Sequence, residues 1–189
     1  MKKKIFYFLI FVVLSIVLYL NLKSTRYTGV NYSVSGKEIT NLTKIKDFYE
    51  RHNNYKILVK EISNNSVQDN EILKISKWVY FNIKKSKEGE DIIDSHPWTV
   101  VERKIGTKDQ FSDILSVLFV YKDIDSFYIF NHGKYKHPLT YFKSNKSWSI
   151  IDPYYGIYFL NEDNKFCSIQ EYKSKKCLIF HLKYKNNIQ

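Results

Sequence analysis

Cysteine, proline, methionine and glycine are all scarce: this chain of 189 residues has 2 Cys, 3 Pro, 1 Met and 6 Gly. Two cysteines, Cys167 and Cys177, exclude a disulfide-rich scaffold. They also exclude a cysteine-built zinc module, because such a site needs four ligands and only His181 lies near them in sequence. Outside the cytosol the pair can close one disulfide, and elsewhere it stands as two thiols. The dispersed glycines form no phosphate-cradling loop. No His-x-x-x-His or Cys-x-x-Cys spacing occurs, so neither a metal nor a cofactor is implied. Acidic residues are in deficit, 19 against 30 Lys and Arg, for a formal charge of +11. Such a charge favours anionic partners. Arginine, however, is confined to Arg26, Arg51 and Arg103, and the lysines are scattered among Asn, Ile and Tyr. With no basic stripe and no recognisable nucleic-acid motif, a compositional bias explains the charge better than a nucleic-acid-binding surface.

Charge is absent altogether from Ile5 to Leu20, a run whose one polar residue is Ser15. With Leu22 it reaches roughly the lower length limit of a bilayer-spanning helix. Lys2, Lys3 and Lys4 precede the run and Lys23 and Arg26 follow it, a bias that favours a cytoplasmic N-terminus and an extracytoplasmic remainder. A cleaved signal peptide shares the basic start and the apolar middle, but it should end in small residues before a cut site. The exit here reads Leu20-Asn21-Leu22-Lys23-Ser24, so an uncleaved anchor is the expectation. The division expected is therefore 1–23 for tail and anchor, 24–38 for a polar juxtamembrane linker, and 39–189 for one domain with its own core.

Within that domain the first helix is expected over 41–51, from Leu42, Ile45 and Phe48, while 55–62 is ambiguous between helix and strand. A second helix is expected from about Asp69 to Lys85, where Ile72, Ile75, Val79, Tyr80 and Ile83 recur at helical steps. An irregular stretch follows through Gly89 and Pro97. The clearest pattern is Phe111, Ile114, Leu115, Leu118 and Phe119, one apolar stripe, with Thr107 and Gln110 at capping-box spacing so that the helix starts near Lys108. Beyond it come short aromatic and β-branched runs at 126–130, 137–142, 148–151, 156–160 and 178–184, separated by Asn, Gly, Lys and Pro. Helices first and strands after give an α+β domain, helices packed on an antiparallel sheet, behind one N-terminal transmembrane helix. Trp78 and Trp148 are expected in its core.

Three local patterns carry a family resemblance over residues 77–159. The first is a helix with Trp78-Val79 and Asn82-Ile83. The second is Gly106-Thr107-Lys108-Asp109-Gln110-Phe111-Ser112 at the start of the central helix. The third is His137 opening a strand, followed by Trp148-Ser149-Ile150-Ile151-Asp152-Pro153. Together they resemble the transglutaminase-like branch of the papain-like cysteine-enzyme superfamily, in which nucleophile, histidine and acid follow in that order. In such enzymes a thiol at a helix N-terminus loses its proton readily. An imidazole on the facing strand then moves that proton, and a carboxylate fixes the imidazole tautomer.

The resemblance implies His137 and Asp152 as the histidine and the acid. At the position of the family's cysteine it places Lys108, which replaces the nucleophile; a shift of one residue would give Asp109. His137 is followed by Pro138, where the family has a small residue and then an aromatic. Read from the residues alone, His137 can equally be a strand cap and Asp152 a pre-proline turn residue. His96, in the loop before Pro97, is expected to be solvated, with the cleft as the alternative.

Three functional readings follow. One is a pseudoenzyme whose vestigial His137 and Asp152 flank a cleft that binds a peptide, a glycan or an envelope protein. The second is an envelope hydrolase or acyl transferase in which Lys108, Thr107 or Ser112 replaces the thiol, or the His137 and Asp152 pair acts alone. The third is a structural assembly module.

Overall fold

The computed structural model describes residues 2–28, 35–63, 68–87, 89–90, 92, 96–131 and 137–183. Helix α1 (Lys2–Asn21) holds the apolar run. Over Lys3–Asn21 its mean hydropathy is 2.2 and none of that span is buried against protein, so it is apolar enough to cross a membrane; a signal sequence has the same character. Ser15 satisfies its own hydroxyl inside the helix by donating to the Phe11 carbonyl at 2.9 Å, as a bilayer core requires.

The polar stretch that follows has regular structure at both its ends. Strand β1 (Lys23–Thr28) pairs antiparallel with β2 (Ser35–Thr40), Lys23 opposite Thr40; 29–34 lie outside the described residues. The returning strand sets Asn41 beside the end of α1. There its backbone N–H donates to the Leu22 carbonyl at 3.0 Å and its side-chain amide to the Tyr19 carbonyl at 2.9 Å.

Helix α2 (Asn41–Ser63) is twice as long as its first apolar stripe suggests. Residues 55–62 are helical because Tyr55 and Val59 continue that stripe into the core, where both are buried. Burial here outweighs the β-propensity of Tyr55, Ile57 and Val59. Helix α3 (Gln68–Asn82) buries Ile72, Ile75 and Val79. It ends three residues before Lys85, because the chain turns at Ile83 into the two-residue strand β3 (Lys84–Lys85). The stretch expected to be irregular contains helix α4 (Pro97–Arg103), which starts with proline in its first turn, a position that tolerates the missing N–H. His96 caps it, Nδ1 accepting the Trp98 N–H at 3.1 Å. Strand β4 (Ile105–Gly106) then pairs parallel with β3, Lys85 opposite Gly106. A Cβ added at Gly106 would meet Val100 Cγ1 at 3.0 Å, so glycine lets this strand pass close to α4.

Helix α5 (Lys108–Val120) starts where its cap predicts, and Gln110 Oε1 accepts the Thr107 N–H at 3.1 Å. Its stripe of Phe111, Ile114, Leu115, Leu118 and Phe119 is completely buried. It packs against a five-stranded antiparallel sheet in chain order, built from β5 (Ser126–Asn131), β6 (His137–Ser144), β7 (Ser147–Asp152), β8 (Ile157–Leu160) and β9 (Leu178–His181). The fold is thus α+β, helices on an antiparallel sheet. Thr140, Phe142 and Ser149 face α5 and are buried.

Trp148 alternates with Ser149 and so lies on the opposite face. It is only half-buried, edge-on to Phe127 at 4.9 Å between ring centroids, and does not join the core. Trp78, also half-buried, does pack against that core. Between β8 and β9 a short helix, α6 (Ile169–Lys173), is flanked by Cys167 and Cys177, which are joined in a disulfide.

Candidate functional site

Strands β6 and β7 run antiparallel with Thr140 opposite Ile151. The first residue of β6 and the last of β7 therefore reach the same rim of the sheet. These residues are His137 and Asp152, and His137 Nε2 lies 2.5 Å from Asp152 Oδ2. Asp152 is buried and His137 mostly so, with 21% of its side chain exposed.

The aspartate is also the first residue of a turn, Asp152-Pro153-Tyr154-Tyr155. Its Oδ1 accepts the backbone N–H of Tyr154 at 3.0 Å and of Tyr155 at 2.9 Å, which is how an aspartate caps its own turn. Turn residue and imidazole partner are thus one side chain. One oxygen is fixed by the backbone, and the other is aimed at the histidine.

Helix α5 is tied to this rim from the side. The Ser112 hydroxyl donates to the Pro138 carbonyl at 3.2 Å, and the Thr140 hydroxyl donates to the Ser112 carbonyl at 3.1 Å. Ser112 is fully buried, so its hydroxyl is a structural donor and unavailable to a substrate. Thr107 donates its hydroxyl to Asp109.

Lys108, the first residue of α5, is exposed, with Nζ over the rings of Tyr154 and Tyr155 at 5.6 and 5.7 Å from their centroids. The Tyr155 ring in turn lies 5.1 Å from the His137 ring. Lys108, His137 and Asp152 therefore border one site. Asp109, one position on, is held by its contact with Thr107. His96 lies in the loop before Pro97, half-buried, and caps α4.

Sequence reasoning missed Lys85, Tyr154 and Tyr155. The β3–β4 bridge brings Lys85 alongside Gly106, two residues before Lys108, and its Nζ lies over the same rings at 4.7 and 5.5 Å. Among the described residues neither lysine is paired with a carboxylate, and no group of His, Cys, Asp and Glu is arranged to hold a metal. No sequence signal pointed to Lys85. The tyrosines directly follow Asp152-Pro153 and were legible only as turn residues.

Gly156 closes the turn with φ +67°, and a Cβ there would meet the Tyr80 ring at 2.8 Å. Glycine at this position thus allows the Tyr80 ring of α3 to pack directly against the end of the turn.

Comparison with known proteins adds little. No protein-family model and no curated protein matches the chain. Among solved structures, a candidate cysteine protease from Cytophaga hutchinsonii superposes on 69% of this chain with a TM-score of 0.47 and 12% identity. A protein described as a TGase superposes on 69% with a TM-score of 0.45 and 14% identity. The chain spans less than half the length of either, 47% and 43%.

One acidic group on α5, Asp113, has a shifted titration. Burial, and secondarily the Asp109 carboxylate one turn earlier, pushes Asp113 up to about 6. A carboxyl whose folded pKa is raised binds its proton more tightly folded than unfolded, so it favours the fold below the unfolded value and loses that advantage as pH rises from about 4 to 6. Asp113→Asn is expected to flatten the stability profile across that window. At pH 7 it should stabilise the protein by about 1–2 kcal/mol, the ~1.4 kcal/mol per pH unit being discounted for solvent reaching a partly exposed side chain. Urea midpoints at pH 4.5 and 7 check this, and an unchanged difference between wild type and variant refutes it.

Proposed function

We propose that this is a membrane-anchored, extracytoplasmic transglutaminase-like domain that has lost its nucleophile, and that its vacated cleft binds an acidic group on an envelope peptide, glycan or protein. The observation that carries the reading is the intact His137 and Asp152 pair at the N-terminus of a helix whose first residue is Lys108. The order of helix, histidine strand and acid strand supports the family assignment. Both cysteines are tied to each other, so no free thiol exists to replace the missing one. Lys108 is exposed and lacks the burial on which an amine nucleophile depends.

Lys85 and Lys108 point to the ligand's charge. Two ammonium groups above one pair of tyrosine rings repel each other, and an incoming carboxylate or phosphate relieves that repulsion. The disulfide and the basic residues at the start of α1 both support an oxidising location for the domain outside the cytoplasm.

Two measurements test the proposal. In intact cells, external protease should remove a tag placed after residue 189 and leave one placed before residue 1; a protected C-terminal tag overturns the orientation. The purified full chain should take up no iodoacetamide or acyl electrophile at 106–112 and should not turn over amides or esters. Turnover that is lost on Lys108→Ala or His137→Ala would instead establish an enzyme of altered chemistry.

A further inference from the structure

We propose that the first two turns of α2 lie in the headgroup layer of the bilayer, giving the protein a second membrane contact beside α1. The apolar stripe of α2 runs through Ile45, Phe48, Tyr55 and Val59 at alternating helical steps. Its second half is covered by the domain, with Tyr55 and Val59 at 4% and 2% exposure. Its first half is bare: Leu42, Ile45, Phe48 and Tyr49 are all exposed, on one side of the helix.

The stripe loses its protein cover where the chain meets the membrane-crossing helix. Asn41, the first residue of α2, is bonded to the Tyr19 and Leu22 carbonyls at the end of α1, so these four side chains sit within the first turns after the bilayer exit. Four large apolar residues cost free energy in water. Tyrosine and phenylalanine are the residue types that settle where acyl chains give way to head groups. Tyr19 and Tyr27, both exposed, flank the same exit. Lys46 and Glu50, paired at 3.6 Å, occupy the adjacent side of the helix and define its aqueous edge. The occupant that fits is therefore the lipid interface itself, continuous with the lipid around α1.

The proposal rests on α1 crossing the bilayer, and its test separates the two. Single cysteines introduced as Ile45→Cys, Tyr49→Cys, Glu50→Cys and Ile10→Cys carry a nitroxide in the full chain, the native pair being oxidised. The protein is reconstituted in nanodiscs of phosphatidylcholine with phosphatidylglycerol. Collision with oxygen, which concentrates in lipid, is compared with collision with an aqueous nickel chelate.

The oxygen-to-nickel ratio should be severalfold higher at residues 45 and 49 than at residue 50, and highest at residue 10. A lipid-like ratio at 10 with equal, aqueous ratios at 45, 49 and 50 overturns the second contact and leaves the anchor standing. An aqueous ratio at 10 overturns both. All four positions are exposed, so matching denaturation midpoints are expected and confirm that the labels report on the native fold.

Discussion

Lys108→Cys is expected to alkylate with iodoacetamide at pH 7 roughly ten- to thirtyfold faster than a cysteine placed at exposed Lys146, on the turn between β6 and β7. A free thiol near pKa 8.5 is only about 3% thiolate at pH 7, and lowering its pKa by two units or more makes thiolate the main form. The environment at residue 108 supplies that shift. It combines the unpaired N–H groups of a 13-residue helix, the ammonium of Lys85 across the β3–β4 bridge, and an imidazole beside Tyr155 that Asp152 holds from its other nitrogen. Because Cys167 and Cys177 are joined, the new thiol is the single reactive one. Adding His137→Ala should return the rate toward that of the Lys146 reference. A Lys108→Cys thiol no faster than the reference would show that the helix start, the histidine and the acid do not form the proton-handling arrangement assigned to them.

Leu115→Ala is expected to cost about 2–5 kcal/mol, the range for a leucine removed from a core that cannot collapse around the gap. Leu115 has no exposed surface and lies mid-way along the stripe that presses α5 onto the sheet. Above it α3 contributes Ile72, Ile75 and Val79, and below it β6 and β7 contribute Phe142 and Ile151, all buried. The urea midpoint measures the loss, with Val120→Ala, an exposed position on the same helix, expected to change it by less than about 0.5 kcal/mol. Equal effects at the two positions would mean that α5 does not occupy the centre of the domain.

What could be read from the sequence depended on how local the determinant was. The start of α5 is written in Thr107 and Gln110, three residues apart, and its buried face in a stripe of nine residues, so both were legible. The pairing of His137 with Asp152 was suggested by their order and by the Asp-Pro turn. Their meeting depends on β6 and β7 being neighbours, which the short intervening turn made the simplest arrangement. Lys85 was invisible, because only a two-residue parallel bridge, closing a loop of some twenty residues, brings it to the site. Helix α4 is too short to show periodicity, and its cap is a histidine, a residue seldom used there. Trp148 was expected in the core because it is large and apolar, but strand alternation decides which face a residue takes, and Ser149 took the inner one.

The paired hydrogen bonds between Ser112 and β6 also bear on substitution at residue 108. They fix the distance between the helix start and the histidine strand one turn deeper than residue 108, through groups buried in the core. A change of residue at 108, on the exposed first turn, therefore leaves this packing in place. On the reading proposed above, a single substitution at 108 is then enough to set a thiol into that mould.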